Sequence, residues 1–307
     1  MMLYCGYVAR LVCHHCNQLN FIRADIKIDT LEATLDSTER IPIGLPKIPD
    51  AGSELHLSVM RAWLADCDAH KCVPSDVERY CPLRLLYLGS DAESRCCRLI
   101  ETSKLADQGK HVRYIALSHP WGDPEDCEPF KTTQDNIGEH MENIDEEELP
   151  QNFRDAIEVT RGLGQSYLWI DSICIRQRSE GDEGDFHAEA EHMQGIFSSA
   201  YCVIAASSAT NMDDGFLDNR ELQTIVTWSP RNSKGDKSNQ FHISRVVDDF
   251  DHDVGESHLS RRGWVLQERA LARRTLYFTN NQAYFECGVG IRCETLSKLK
   301  RSACTPP

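Results

Sequence analysis

An α/β fold with a mainly parallel sheet flanked by helices is predicted for residues 107–300 of this 307-residue chain. Three observations predict it. Strand-length apolar runs alternate with amphipathic stretches in the order strand, helix, strand, helix, strand. The runs are apolar throughout, as strands covered on both faces read. At 41% apolar and 26% charged residues, the composition suffices for a packed core and excludes global disorder.

The elements follow in order. Residues 1–106 form a Cys-rich, partly helical region holding Cys5, Cys13, Cys16, Cys67, Cys72, Cys81, Cys96 and Cys97, with a Pro-rich link from Ile41 to Pro49. Leu55, Val59, Ala62 and Trp63 predict a helix near Leu55 to Cys67. Tyr114 to Ser118 is an apolar strand stopped by His119-Pro120-Trp121-Gly122. A helix from Pro150 to Gly164 follows, with Phe153, Ala156, Ile157 and Leu163 inward. The strand Tyr167 to Ile170 ends at Asp171-Ser172. A second helix, Asp185 to Ala200, feeds the strand Tyr201 to Ala206. Beyond these lie a polar hairpin (Ile225 to Ser244), an acidic loop (Asp248 to Ser257), a helix (Gly263 to Arg273), and strands at Leu276 to Phe278 and Tyr284 to Glu286. Residues 301–307 are a tail.

Lys plus Arg total 33 against 48 for Asp plus Glu, a formal charge of −15. Counterion release therefore gives no drive toward DNA or RNA, and no nucleic-acid partner is expected. No apolar run reaches the roughly 18–20 residues of a membrane span. The start lacks the basic region of a signal peptide, and the 14 cysteines are irregularly spaced. The expectation is a reduced, cytoplasmic protein. Gly162-x-Gly164 precedes a strand and has no third Gly, so it is not a dinucleotide fingerprint. There is no Walker loop, H-E-x-x-H or G-x-S-x-G elbow.

Glu189 is the most informative candidate. On a helical wheel it falls within the arc of Phe186, Ala190, Met193, Ile196, Phe197 and Ala200, opposite Glu191, Gly195 and Ser198. A carboxylate in an apolar stripe is costly unless it is paired or used, so a buried ion pair, a cap and a catalytic role all stand open. Asp171 lies at the carboxyl end of a buried strand, where open α/β sheets gather ligands, and equally suits a turn cap. Ser118 and Trp121 hold the matching position after the first strand, with Gly122 allowing close backbone approach. Arg262, Trp264, Gln267 and Glu268 form a third cluster, polar side chains beside large apolar ones. Cys13-x2-Cys16 and Cys67-x2-His70-x-Cys72 have donors that suit zinc, or are free buried thiols.

Three segments together resemble the HET domain, the fungal heterokaryon-incompatibility module. Tyr114-Ile115-Ala116-Leu117-Ser118-His119-Pro120-Trp121-Gly122 is similar to the family's Y-x-A-L-S-Y-x-W-G. The second segment runs from Leu149-Pro150 through Phe153, Asp155-Ala156-Ile157, Leu163-Gly164 and Tyr167 to Asp171, Cys174 and Gln177, then Asp185 to Glu189, Met193 and Ile196-Phe197. The third is Arg262-Gly263-Trp264-Val265-Leu266-Gln267-Glu268, with Leu271 and Arg274. His119 stands where the family has Tyr, Phe186 where it has Trp, and Gly263 where it has Ala.

The resemblance implies a role in non-self recognition and programmed cell death. It also implies distant similarity to TIR domains, and with it a flavodoxin-like sheet. Glu189 matches the TIR glutamate that lies where the nicotinamide–ribose bond of NAD is cleaved. The implied activity is an NAD glycohydrolase with Glu189 catalytic. Ser118, Trp121, Gly122, Asp171, Arg262, Gln267 and Glu268 would then surround the dinucleotide. The alternative is a non-catalytic module that signals by self-association or through another incompatibility or receptor protein.

Overall fold

The structure, a computed structural model, describes residues 26–30, 47–70, 72, 80–89, 96–108, 112–123, 125, 129–217, 220, 225–228, 241–245, 249–261 and 263–295. Strand β1 (Ile26–Thr30) and helix α1 (Glu54–Ala69) come first, then the hairpin strands β2 (Arg84–Tyr87) and β3 (Arg98–Glu101). Next are β4 (Ile115–Ser118), α2 (Ile137–Glu142), α3 (Gln151–Gly162), β5 (Tyr167–Trp169) and the short α4 (Asp171–Cys174). Helices α5 (Phe186–Ala190) and α6 (Met193–Ser199) lead into β6 (Cys202–Ala205). Strands β7 (Ile225–Trp228) and β8 (Phe241–Arg245) precede helix α7 (Gly263–Leu271). Three strands complete the order: β9 (Arg274–Phe278), β10 (Ala283–Cys287) and β11 (Gly290–Cys293).

Eight strands form the main sheet in the order β11-β10-β9-β6-β4-β5-β2-β3. Its centre is parallel: β5 beside β4, β4 beside β6, β6 beside β9. The β4–β5 pair sets the two strands read from Tyr114 to Ser118 and Tyr167 to Ile170 side by side and parallel. Both flanks are antiparallel, through β5–β2–β3 on one side and β9–β10–β11 on the other. The α/β class with flanking helices holds, but the mainly parallel sheet expected of a flavodoxin- or TIR-like fold is corrected to a mixed one. Helical crossovers supply only the central strands. The β9–β10–β11 and β2–β3 hairpins add the flanks, their direct connections making the strands antiparallel, while β2, from earlier in the chain, joins the sheet antiparallel to β5. Strands β7 and β8 form the expected hairpin, joined by β1 in a separate antiparallel sheet.

The core lies on the parallel strands. All four residues of β4 and of β6 are buried. Helix α3 starts after Pro150, as expected, and buries Phe153, Ala156, Ile157 and Val159. Phe153, Ile157 and Val159 each contribute about 1.5–3 kcal/mol through burial. Trp169 of β5 meets Phe197 of α6 edge to face, ring centres 5.6 Å apart. Asp155 of α3 accepts the Phe216 and Leu217 backbone N–H groups at 2.6 and 3.0 Å, pinning the loop beyond β6 to this helix.

Three local expectations are corrected. Helix α1 does not bury Leu55 and Ala62, which are exposed; its inner face is His56, Leu57, Met60, Trp63, Leu64 and Cys67. Ser53 caps its start by accepting the His56 N–H at 3.3 Å, and a buried polar network draws His56 inward, fixing the helix phase. The predicted Asp185 to Ala200 helix is two helices, α5 and α6. The acidic stretch Asp248 to Ser257 is no plain loop, but contains a π-helical turn at Asp251–Gly255. The Pro-rich link up to residue 46 and the tail lie outside the described residues. No helix among the described residues is long and apolar enough to cross a membrane.

Candidate functional site

Strand β4 delivers Ser118 to its carboxyl end, and the Ser118 hydroxyl donates a hydrogen bond to the Glu268 carboxylate of α7. Two separate segments of the resemblance thus meet at one contact. Ser118, Ser207, Ser260, Glu268 and Arg269 line a narrow crevice here, floored by Val203 and Ala205 of β6, with room for about one water molecule. Behind it, the Arg269 Nε–H donates to Glu286 at 3.2 Å, and the Tyr277 hydroxyl donates to the same carboxylate oxygen at 2.7 Å. Burial holds the Tyr277 hydroxyl well above its ordinary pKa, so it stays a donor.

Beyond Ser118 the chain turns through Gly122, whose φ of +90° is in the left-handed region that favours glycine. The turn brings half-buried Trp121 over the end of β5, where its Nε1–H donates to Asp171 at 2.9 Å. The other Asp171 oxygen accepts the Ser172 N–H at 2.7 Å and lies 3.9 Å from Nδ1 of buried His119. The carboxylate therefore has a local structural role and also anchors the indole. His119 in turn meets Phe153 edge to face at 4.9 Å. Trp121 and Asp171 lie at the same end of the sheet as Ser118, as expected.

Glu189 is buried, at 2% exposure, but not by the helix face expected. The chain turns at Glu191-His192, where the His192 N–H bonds the Glu189 carbonyl three residues back. Phe186 and Ala190 are consequently exposed, and Gly195, expected to face outward, packs against Tyr80. The Tyr80 hydroxyl donates to Glu189 at 3.5 Å, and the Tyr80 ring stacks on His192 at 4.9 Å. Burial raises the Glu189 pKa, opposed by Arg84, by His192 and by the Tyr80 hydrogen bond. Arg84, the nearby guanidinium, is bonded to Asp185, whose own pKa is lowered by Arg84 and Arg176 despite its burial. Among the described residues, Glu189 forms no ion pair, and its carboxylate is not bonded to Ser118, Trp121 or Asp171.

Arg262 lies outside the described residues, as do the side chains of Trp264 and Gln267. Of the zinc candidates, Cys13 and Cys16 are also outside them, whereas Cys67, His70 and Cys72 come together. Cys287 joins them, and the four donor atoms lie within 4.8 Å of one another. Sequence reasoning missed Cys287, Tyr80 and Arg84. Arg84 sits in Pro82-Leu83-Arg84-Leu85-Leu86, where a lone Arg among apolar residues is the available signal.

Comparison with known proteins gives one family. The model described as heterokaryon incompatibility protein (HET) matches residues 114–268, which span β4 to the Glu268 contact with Ser118. No curated protein and no solved structure matches the chain.

Proposed function

Because the chain belongs to the heterokaryon incompatibility (HET) family, we propose that it is a cytoplasmic cell-death module of fungal non-self recognition, acting by cleavage of the nicotinamide–ribose bond of NAD. The observation that carries this reading is the Glu189 carboxylate: buried, raised in pKa, and without an ion pair among the described residues. Arg84, the guanidinium that acts on Glu189 electrostatically, is bonded to Asp185 and not to Glu189.

The step suits that group. The ribose–nitrogen bond breaks with its electron pair going to the pyridinium nitrogen, so nicotinamide leaves neutral and needs no general acid. The ribose carbon becomes cationic, and the ionised Glu189 stabilises it until water adds and releases a proton. Tyr80 donates to the carboxylate, and Trp121, whose indole is fixed by Asp171, is the aromatic side chain this reading assigns to the nicotinamide ring.

The test is incubation of the purified chain with NAD, with free nicotinamide read by chromatography. Glu189→Gln should lower turnover by about 10²–10³ while the protein stays folded. A folded Glu189→Gln variant with unchanged cell killing would overturn catalysis by this residue. It would favour signalling by self-association, for which half-exposed Phe186 beside Glu189 is the apolar contact in view.

A further inference from the structure

We propose that Cys67, His70, Cys72 and Cys287 form a closed, structural zinc site that fastens α1 to the β10–β11 hairpin. Cys67 and His70 lie three apart at the end of α1 and so share one helix face. Cys72 follows as the chain leaves the helix, and Cys287 is the last residue of β10. The His70 Nε2 lies 2.6 Å from the Cys72 Sγ and 3.7 Å from the Cys287 Sγ. In tetrahedral zinc, with bonds of about 2.0–2.3 Å, donors stand roughly 3.4–3.8 Å apart. The observed set, all within 4.8 Å, needs only side-chain adjustment to reach that geometry.

Three sulfurs and one imidazole are the donor set of a soft-ligand zinc site, and four protein ligands leave no open position for substrate. The surroundings suit a bound cation with three thiolates. The Val289 backbone N–H bonds Cys72, the kind of contact that orients a metal-bound thiolate. Gly288 brings the hairpin turn so close that a Cβ there would stand 3.5 Å from the Cys72 Sγ. Arg274, bonded to Asp68 at 2.8 Å, sets a positive charge near Cys67, offsetting the net negative charge of zinc with three thiolates. The same two elements are already joined by the stacked Trp63 and Phe285 rings at 6.0 Å and by the Arg292–Asp66 pair at 2.8 Å. Every ligand lies outside residues 114–268, so this site is independent of the proposed NAD chemistry.

The experiment is metal analysis of the full chain purified under reducing conditions without chelator. About one zinc per chain is expected, lost in Cys72→Ser and in Cys287→Ser but kept in Cys13→Ser and Cys16→Ser. Cobalt loaded into the wild-type chain should show tetrahedral visible bands with strong thiolate charge transfer, a readout that needs no variant to fold. Three results would overturn the site: no stoichiometric metal and no cobalt–thiolate bands, zinc retained in folded Cys287→Ser, or a Cys72–Cys287 disulfide in protein prepared without oxidant.

Discussion

Glu294 and Glu189 are both buried carboxylates, and their surroundings push them in opposite directions. Glu294 is fully buried and accepts from Arg220, His56, and the backbone N–H groups of Ile48 and Ala283. Those partners hold its pKa below the usual value even though burial opposes it. Glu294→Gln should therefore leave Arg220 buried without its counter-charge and cost about 3–5 kcal/mol, read from denaturant unfolding. Glu189→Gln should cost far less, because no cation is stranded. His56 is bonded to Glu294, but burial outweighs that pairing and lowers its pKa. The geometry agrees: Nδ1 accepts the Gly52 N–H at 3.0 Å, which leaves Nε2 as the protonated nitrogen of a neutral ring. A group lowered in the fold binds protons more readily when unfolded. Stability should thus be full above the unfolded pKa of 6.5 and fall as pH drops below it. His140, lowered by burial, adds to the same slope. A melting temperature unchanged on acidification through this range would refute the neutral His56. At this scale the sequence was half legible. Glu189 stood out because apolar neighbours surround it, whereas Glu294 follows Cys293 with no pattern to mark it. Its partners come from residues 48, 56, 220 and 283, which only the tertiary fold assembles.

Helices α5 and α6 show where periodicity misleads. Apolar residues recur at helical spacing straight through Glu191-His192, so the pattern predicts one helix. What interrupts it is a contact made from outside, with Tyr80 stacked on His192 and pressed against Gly195. A Cβ at Gly195 would stand 2.8 Å from the Tyr80 side chain. Gly195→Ala should accordingly destabilise by about 1–3 kcal/mol through overpacking, although alanine is the better helix former. Because Tyr80 also bonds Glu189, the same variant should weaken NAD turnover if that reading holds. The test is thermal unfolding and turnover on one preparation; an unshifted melting temperature would show that Tyr80 yields freely. Strands β4, β5 and β6 were legible because each is an uninterrupted apolar run closed by a turn. The β2–β3 hairpin was not: the apolar run Leu85-Leu86 is short, and its place beside β5 is set by pairing across the sheet.

Across the whole molecule, order in the sheet should govern order of opening. Strands β4 and β6 are buried at every residue and hydrogen-bonded on both sides, so their amides should exchange with solvent only on global unfolding. The β7–β8 hairpin belongs to a separate three-stranded sheet and should exchange sooner. Hydrogen-exchange mass spectrometry would show it, and equal protection of the two regions would contradict this hierarchy. The class of fold was legible from the alternation of strand and helix, but the balance of parallel and antiparallel pairing was not, since periodicity carries no information on strand direction.

The antiparallel flanks also bear on how the protein can be cut for study. A fragment trimmed to the family match, residues 114–268, keeps β4, β5 and β6 of the main sheet and discards β2, β3, β9, β10 and β11. It would then expose β5 where β2 had paired and β6 where β9 had paired, both with apolar residues facing any incoming chain. Such a fragment should collect in inclusion bodies or domain-swap. The smallest piece to behave as a monomer should instead begin before α1 and extend past β11.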